Sequence, residues 1–274
     1  MITPLIPHPA ALVKTGETRT LVVADLHIGW EMALSEKGIH VPTQTSKLLQ
    51  TLKTLIDAYK PQRLLILGDV KHTVAKAEIS EWQDVPDFFN DLKTIIEEIQ
   101  IIRGNHDGSL EPLLPEGIKL LPSSGTAIGD VGFFHGHRWP SPTLLKCKAL
   151  VMAHVHPIIA FRDPAGFRIT RQVWVKAECD GKKLAEILFQ KSRIKKFKGS
   201  PPVKPRTTQV FIMPSFNELL GGKPLNEKRY NKKGESERIV GPILRTEAVA
   251  MAKAEVYLLD GSFLGLLGQL EALE

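Results

Sequence analysis

Short apolar runs alternate with longer amphipathic stretches over the first 110 residues. Three of these runs are rich in Val, Leu and Ile and have polar flanks, which is typical of buried strands: 19–26, 62–69 and 99–105. The stretches between them repeat apolar residues at helical spacing and predict helices over 30–38, 42–60 and, after Pro86, 81–99. The order strand, helix, strand, helix, strand predicts a parallel sheet covered by helices.

The sequence also indicates where these helices end and which face of the third is buried. We expect Gly38 to end the first helix, and Pro61 to stop the second. The inner face of the third helix is expected to contain Phe88, Phe89, Leu92, Ile95 and Ile96.

Beyond residue 110 helical periodicity is scarce, and short apolar runs predict further strands. These runs lie at 125–136, 148–155, 166–179, 208–215 and 254–267. Asp260-Gly261, between the two apolar halves of the last run, predicts a β-hairpin. Two polar stretches, 191–206 and 221–238, are expected to be loops. We therefore expect two sheets packed face to face, with helices mostly on the outside of the first.

Polar side chains that can bind metal ions follow the predicted strands at the same end. They are Asp25 and His27, Asp69 and His72, Asn105 and His106, His135 and His137, and His154 and His156. Ligand sites of open parallel sheets lie beyond the carboxyl ends of the strands. These side chains are therefore expected to converge from five strand ends.

The residue types and their number predict a site for two cations. Carboxylates, an amide oxygen and imidazoles suit Mn, Fe or Zn, and the set lacks the thiolates of a structural zinc site. It exceeds the needs of one ion and fits two ions about 3.5–4 Å apart that share a carboxylate. Asp69, at a central strand end, is the candidate bridge. Any single Asp-x-His or His-x-His pair could instead be a capped turn with a hydrogen-bonded histidine. The occurrence of several such pairs at strand ends in one chain favours a metal site.

The spacing of two pairs also has a geometric interpretation. Asp25 and His27 are two residues apart, as are His154 and His156. Residues at positions i and i+2 of a strand point to the same face, so each pair is expected to approach a metal pocket together.

Charge changes the picture of the C-terminal part. Residues 182–250 contain 16 lysines and arginines against six glutamates, a net charge of +10. The rest of the chain contains 20 basic against 24 acidic residues, a net charge of −4. This asymmetry is expected of a polyanion-binding protein with a cation-binding centre, and a solvated, lysine-rich loop is the alternative.

Other features restrict the setting of the protein. The only two cysteines, Cys147 and Cys179, form neither a disulfide framework nor a zinc knuckle. No apolar run approaches the roughly 20 residues of a membrane span, and the first residues lack the pattern of a signal peptide. We expect a cytoplasmic location and no membrane contact.

The motifs between residues 25 and 156 resemble those of the calcineurin-like metallophosphoesterase superfamily. In order, they are Asp-x-His, Gly-Asp-x-x-His, Gly-Asn-His-Asp, a single His and His-x-His. With His72 in the second motif, and with the segments 211–222 and 256–265, the chain is similar to small archaeal SbcD-related and bacterial ligase-associated PdeM-type phosphoesterases. The resemblance implies one α/β domain over 1–274, a four-layer α/β/β/α sandwich, and two divalent ions, most often Mn, with Fe, Zn or Ni as alternatives.

The resemblance also implies a role for each site residue. The first ion would bind Asp25, His27, Asp69 and His156. The second ion would bind Asp69, Asn105, His135 and His154, with His137 as the alternative to His135. His106 would be the general acid, and His72 would support the phosphate. A hydroxide that bridges the ions would attack phosphorus.

Two substrate classes remain open at this point. The first is DNA, which the basic region 182–250 would bind, so that the protein would be a repair nuclease with a helicase or ligase partner. The alternative is a small phosphodiester or nucleotide, such as a cyclic nucleotide or a diphosphate-linked lipid precursor. Trp30 and Trp139 follow site motifs and would stack on a base of the substrate; the alternative is that they are ordinary packing residues of the fold. A non-catalytic scaffold would have lost ligands, and none is missing.

Overall fold

Two β-sheets form the centre of the molecule. The structure is a computed structural model, and it describes residues 2–74, 77–163, 165–191, 204–227 and 240–271. The first sheet contains, in spatial order, β1 (Ile2–Pro4), β2 (Ala11–Thr15), β3 (Thr18–Val23), β4 (Arg63–Ile66), β5 (Glu98–Ile102) and β6 (Lys119–Leu121). Strands β3 to β6 are parallel, and β1 and β2 are antiparallel additions at the edge.

The second sheet is mixed. Its strands are β7 (Thr126–Ile128), β8 (Val131–Phe134), β9 (Ala149–Met152), β10 (Ile158–Arg162), β11 (Arg168–Glu178), β12 (Gln209–Ile212), β13 (Glu255–Leu258) and β14 (Phe263–Leu266). Their spatial order is β14-β13-β11-β12-β9-β8-β7, and β10 pairs with the first part of β11. Strands β8, β9 and β12 are parallel to one another.

Helices cover the outer face of each sheet. They are α1 (Trp30–Ser35), α2 (Thr45–Tyr59), α3 (Ile79–Lys93), α4 (Gly181–Lys191) and α5 (Leu267–Glu271). The described ranges also contain single 3-10 turns at Glu111–Leu113, Pro142–Lys146, Ile243–Arg245 and Met251–Lys253. None of the helices in the described ranges has the length and apolar character needed to cross a bilayer.

Alternate residues of the central strands face different cores, which explains the layering. Around β4, Leu64 and Ile66 belong to the core beneath α2 and α3, whereas Leu65 and Leu67 belong to the core between the sheets. That middle core also contains Val22, Phe133, Val151 and Trp174. A third core joins the far side of the second sheet to Leu184 and Leu188 of α4. Because strand side chains alternate in direction, continuous apolar strands are buried on both faces. The predicted α/β/β/α sandwich is confirmed.

Two turn predictions are confirmed. Gly38 has a φ of 78°, and Ile39 N–H and Gly38 N–H donate to Leu34 O and Ser35 O at the end of α1, which is a Schellman motif. The Asp260-Gly261 segment joins β13 and β14 as an antiparallel hairpin, with a φ of 87° at Gly261.

The third helix differs from the prediction at both ends. It begins at Ile79, so Pro86 lies inside it, and it ends at Lys93. Burial of the side chains around Phe88 and Phe89 and the bond from Glu78 N–H to Glu81 Oε2 (3.0 Å) stabilise the helix despite the donor that proline lacks. Ile95 lies beyond the helix and is exposed, so its predicted inward position was wrong.

Other elements were missed or merged. Helix α4 was not predicted, although Leu184 and Leu188 are spaced by one turn and Asp180 accepts bonds from the N–H groups of Lys182 and Lys183. The predicted strand 125–136 is a hairpin, because Gly129, with a φ of 58°, turns the chain between β7 and β8. Strands β1, β2, β6 and β10 were not predicted either. The predicted loops 191–206 and 221–238 fall largely outside the described residues.

Truncation of Phe89 tests the core beneath the first sheet. Phe89 is fully buried and makes an edge contact with Phe88 at 5.4 Å between ring centroids. Phe89→Ala should lower the free energy of unfolding by about 3–5 kcal/mol because it leaves a cavity. Ile79→Ala on the same helix, where the side chain is 90% exposed, should change it by less than about 0.5 kcal/mol. Urea titrations of both variants measure the difference, and equal effects would contradict this packing.

Candidate metal centre

The candidate side chains meet at the carboxyl ends of five strands, three in the first sheet and two in the second. Asp25 and His27 follow β3, Asp69 and His72 follow β4, Asn105 and His106 follow β5, His135 follows β8, and His154 and His156 follow β9. The face-to-face packing of the sheets brings all five ends to one side of the molecule. The packing of the sheets, and not local sequence, therefore brings together residues as far apart in the chain as Asp25 and His156.

One group of donor atoms is formed by Asp25, His27, Asp69 and His156. Their ligand atoms all lie within 4.8 Å of one another. His27 Nε2 is 3.5 Å from Asp69 Oδ2, and His156 Nε2 is 3.5 Å from Asp25 Oδ2. These are the four residues expected to bind the first ion.

A second group is formed by Asp69, His135 and His154, again within 4.8 Å. Asn105 adjoins it, with its Oδ1 atom 3.2 Å from His135 Nε2. His135 Nε2 is also 3.3 Å from Asp69 Oδ2. Asp69 thus belongs to both groups, as a bridging carboxylate would.

The orientation of His135 favours it over His137 as a ligand. His135 Nδ1 donates to the carbonyl oxygen of Leu67 at 2.6 Å, so Nε2 is the ring nitrogen that faces Asp69. A metal-binding histidine usually donates the N–H of its other ring nitrogen to such an acceptor, and this bond fixes the orientation of the ring. Among the described residues, the groups that could bind a metal ion include His135 and do not include His137.

His72 and His106 lie beside the first group. Their ligand atoms and those of His27 lie within 4.8 Å of one another. His27 Nδ1 is 3.2 Å from His72 Nδ1, and His106 Nδ1 donates to the carbonyl oxygen of His72. The backbone N–H of His106 donates to Asp69 Oδ1 at 2.8 Å. Because Nδ1 of His106 is occupied, Nε2 is the nitrogen left for a substrate.

The backbone that aims these side chains differs from the expected strand geometry. Of seven non-glycine residues with positive φ in the described ranges, five belong to the site: Asp25 (55°), His27 (46°), Asp69 (51°), His154 (70°) and His156 (46°). The Asp-x-His and His-x-His pairs lie in left-handed turns beyond the strands, so strand alternation does not explain them. His154 and His156 accordingly face different groups. Such conformations cost roughly 1–3 kcal/mol each and persist only where the surroundings fix them.

Asp107 fixes the turns that carry Asp69 and Asn105. Its carboxylate accepts bonds from the N–H groups of Asp69 (2.9 Å), Val70 (2.8 Å) and Gly104 (2.7 Å). Burial and then the charge of Asp69 raise the pKa of Asp107 to about 6, while the N–H donors act in the opposite direction. Arg103, the other neighbour of the Asn-His pair, instead forms an ion pair with Glu111 on a partly exposed surface.

Two glycines allow the turns to approach each other. A Cβ atom on Gly104 would lie 2.1 Å from Asp69 Oδ1, and one on Gly68 would lie 2.6 Å from His135 Nδ1. Any side chain at these positions would displace a candidate ligand.

A buried ion pair behind His72 was missed in the sequence. Lys71 and Glu81 are 0% and 1% exposed, with Nζ and Oε2 4.0 Å apart. Glu81 Oε1 accepts bonds from the N–H groups of His72 (3.0 Å) and Thr73 (2.8 Å). The signal in the sequence was a lysine between Asp69 and His72, followed by a glutamate in the first turn of the next helix. Trp139 packs against the core of the second sheet.

Charge is concentrated in the shared part of the site. Burial disfavours a charged His135, but Asp69 and Asp25 together raise its pKa to about 9. Burial opposes ionisation of Asp69, yet His135 and His27 hold its pKa well below the usual range. Burial lowers the pKa of His154 to about 4. The His135 ring lies between the two carboxylates, with Nδ1 3.7 Å from Asp25 Oδ1 and Nε2 3.3 Å from Asp69 Oδ2.

The site fits divalent cations. Within the described ranges, Asp25 Oδ1, His27 Nε2 and His156 Nε2 are buried and have no hydrogen-bond partner. Unpaired polar atoms are costly inside a protein unless a ligand satisfies them. The mixed oxygen and nitrogen donors suit borderline and hard divalent metals.

Comparison with protein families agrees with this geometry. The sequence model of the calcineurin-like phosphoesterase family matches residues 18–192. The chain belongs to this family. Calcineurin-like phosphoesterases hydrolyse phosphoesters with divalent metal ions, so the protein is a metal-dependent phosphoesterase.

One solved structure shares the fold of this calcineurin-like phosphoesterase over nearly its whole length. The Pseudomonas putida nuclease MPE aligns over 95% of this chain and 98% of its own, at 21% identity and a TM-score of 0.52. The E. coli phosphoesterase Yfce aligns over 53% of this chain and 73% of its own, at 19% identity and a TM-score of 0.33, too low to support an argument. A comparison with curated proteins found no significant match.

Two matched substitutions test which histidine after β8 is the ligand. His135→Ala should lower the number of bound Mn²⁺ ions per calcineurin-like phosphoesterase chain from two to one, because the second group loses a nitrogen donor. His137→Ala should retain two. Metal analysis after dialysis, together with calorimetric titration, measures both numbers. Loss of an ion in the His137 variant alone would reverse the assignment.

Proposed function

We propose that this phosphoesterase is a nuclease that hydrolyses phosphodiester bonds of DNA with two divalent cations, most often manganese. The observation that carries the proposal is the pair of donor groups that share Asp69, with His106 beside them. A dinuclear centre of this kind suits in-line displacement at phosphorus.

The proposed ligands follow the two donor groups. Asp25, His27, Asp69 and His156 would bind the first ion, and Asp69, Asn105, His135 and His154 the second. When bound, the two cations would acidify a water molecule for attack and would neutralise charge on the phosphoryl oxygens. Below, these places are called the first and the second metal position.

His106 would be the general acid for the leaving oxygen. Its Nδ1 atom donates to the carbonyl oxygen of His72, which fixes the ring. Its backbone N–H donates to Asp69 Oδ1 at 2.8 Å, which fixes the main chain. It is only partly buried, so Nε2 can meet a substrate. A proton given to the leaving group typically accelerates such a step by about 10²–10⁴-fold.

His72 would support the phosphate as a neutral donor. Burial, and then the neighbouring His27 and His106, lower the pKa of His72 to about 4. Its Nδ1 atom lies 3.2 Å from His27 Nδ1, so the two rings fix each other through one shared proton. A neutral ring can donate through Nε2 without repelling a nearby cation.

DNA as the substrate is supported by charge and by one structural neighbour. Residues 182–250 have a net charge of +10, and cationic segments of this kind bind phosphate backbones. The fold is shared over most of both chains with the Pseudomonas putida nuclease MPE. Nine of the 16 cations in 182–250 lie outside the described residues.

A small phosphodiester is the second candidate, and one observation favours it. Lys183 is paired with Glu247 at 2.5 Å, and Arg206 is 3.3 Å from Asp130. These described members of the basic region already have acidic partners, which reduces their attraction for a polyanion.

A substrate panel separates the two candidates. With Mn²⁺, the purified protein should cleave single-stranded, duplex or forked DNA, and cleavage should fall steeply as salt rises because phosphate contacts release counterions. Gel assays with DNA and RNA, and a colorimetric assay with bis-p-nitrophenyl phosphate, provide the comparison. Turnover of the small ester with no nucleic-acid cleavage at any salt concentration would contradict the nuclease proposal.

Removal of His106 tests the acid role. His106→Ala should lower kcat on the preferred substrate by about 10²–10⁴-fold and retain two bound ions. His40→Ala is the control, because His40 is exposed and bonds Ser35 Oγ at 3.1 Å. Kinetics and metal analysis are measured on the same samples. Loss of an ion in the His106 variant would show that this histidine is a ligand.

A further inference from the structure

The segment of residues 215–222, here called the clamp segment, follows β12 and packs on the turn that carries Asp25 and His27. Three of its consecutive residues bind three consecutive carbonyl oxygens of that turn. The bonds run from Phe216 N–H to Ala24 O (2.7 Å), from Ser215 Oγ to Asp25 O (2.9 Å) and from Asn217 Nδ2 to Leu26 O (3.1 Å).

The clamp residues are themselves firmly placed. Ser215, Phe216 and Asn217 are 0%, 2% and 1% exposed. Asn217 Oδ1 accepts the N–H of Leu219 at 3.1 Å, so the same side chain fixes its own loop and the metal-site turn. Gln172 Nε2 of β11 donates to Ser215 O at 2.9 Å, which joins the clamp segment to the second sheet.

The clamp segment also contacts the other turn that forms the first metal position. A Cβ atom on Gly222 would lie 2.0 Å from the carbonyl oxygen of His156. The segment therefore packs on both strained turns that carry Asp25, His27 and His156. By contrast, Leu67 O fixes His135, and Asp107 fixes the turns of Asp69 and Asn105, at the second position.

The clamp matters because the turn it binds is strained. Asp25 and His27 have left-handed backbones, and both point donor atoms into the first position because of it. A backbone in this region persists only when surrounding contacts determine it. The clamp segment supplies these contacts from outside residues 18–192, the part that the family model matches.

We propose that Ser215 and Asn217 are positioning residues that shape the first metal position and leave the second unaffected. The inference rests on the ligand assignment proposed above. Metal binding at the first position should therefore depend on the C-terminal half of the chain, and metal binding at the second position should not.

The test is Mn²⁺ binding to the full chain with Ser215→Ala and Asn217→Ala together. Affinity at the first position should fall at least about tenfold, or about 1.4 kcal/mol, and affinity at the second should stay the same. Each position is measured separately by adding His154→Ala, which removes a ligand of the second, or His156→Ala, which removes one of the first. Calorimetry gives the affinities, and electron paramagnetic resonance distinguishes a coupled Mn²⁺ pair from a single ion.

Asn226→Ala is the matched control. Asn226 is also buried and bonds the backbone through both side-chain atoms, but its partner is Ala160 at 2.9 Å in both bonds. It should leave both affinities unchanged. The Ser215→Ala single variant, which loses one hydroxyl, provides the same measurement if the double variant does not fold.

Each result has a defined meaning. Unchanged affinity at the first position would overturn the inference, and so would an equal loss at both positions, which would indicate a general loss of structure. If the unmodified protein binds no Mn²⁺, the ligand assignment fails as well. If the unmodified protein and the clamp variants both bind two ions with the same affinities, the ligand assignment stands and only the clamp inference fails.

Discussion

The structure depends on one electrostatic constraint, which is the placement of the Asp69 carboxylate between imidazoles from both sheets. Asp69 Oδ2 lies 3.5 Å from His27 Nε2 and 3.3 Å from His135 Nε2, and all three residues are buried. A carboxylate without water needs cations or donors around it. Strand ends from two sheets must therefore meet at this oxygen, and the face-to-face packing of the sheets provides the meeting point.

The polypeptide reaches this geometry through strained turns. The left-handed backbones at Asp25, Asp69 and His156 are unfavourable alone, and buried hydrogen bonds fix them from behind. Asp107 acts on the turns of Asp69 and Asn105, and Ser215 and Asn217 act on the turn of Asp25. The ligands seen in the motifs thus depend on bonds from Asp107, inside one motif, and from Ser215 and Asn217, which lie far beyond the last histidine motif in the chain. Such support is needed because ligands must be placed closely for a metal site to form.

Much of the fold could be predicted from the sequence, because its strands are continuous apolar runs and its second helix repeats buried apolar residues at helical spacing. The convergence of the candidate residues also followed from parallel strand order. The rest could not be predicted for physical reasons. Pro86 lies inside α3 because tertiary packing outweighs local propensity. Ser215 and Asn217 bind the carbonyl oxygens of residues 25 and 26, and a single sequence does not show which distant backbone atom a hydroxyl or an amide will reach.

The most direct test of the dinuclear centre is anomalous X-ray diffraction from crystals soaked in Mn²⁺. Two strong peaks are expected on opposite sides of the Asp69 carboxylate. One peak should be bound by Asp25, His27 and His156, and the other by Asn105, His135 and His154. No peak in the site, or a single peak without contact to Asp69, would contradict a dinuclear centre.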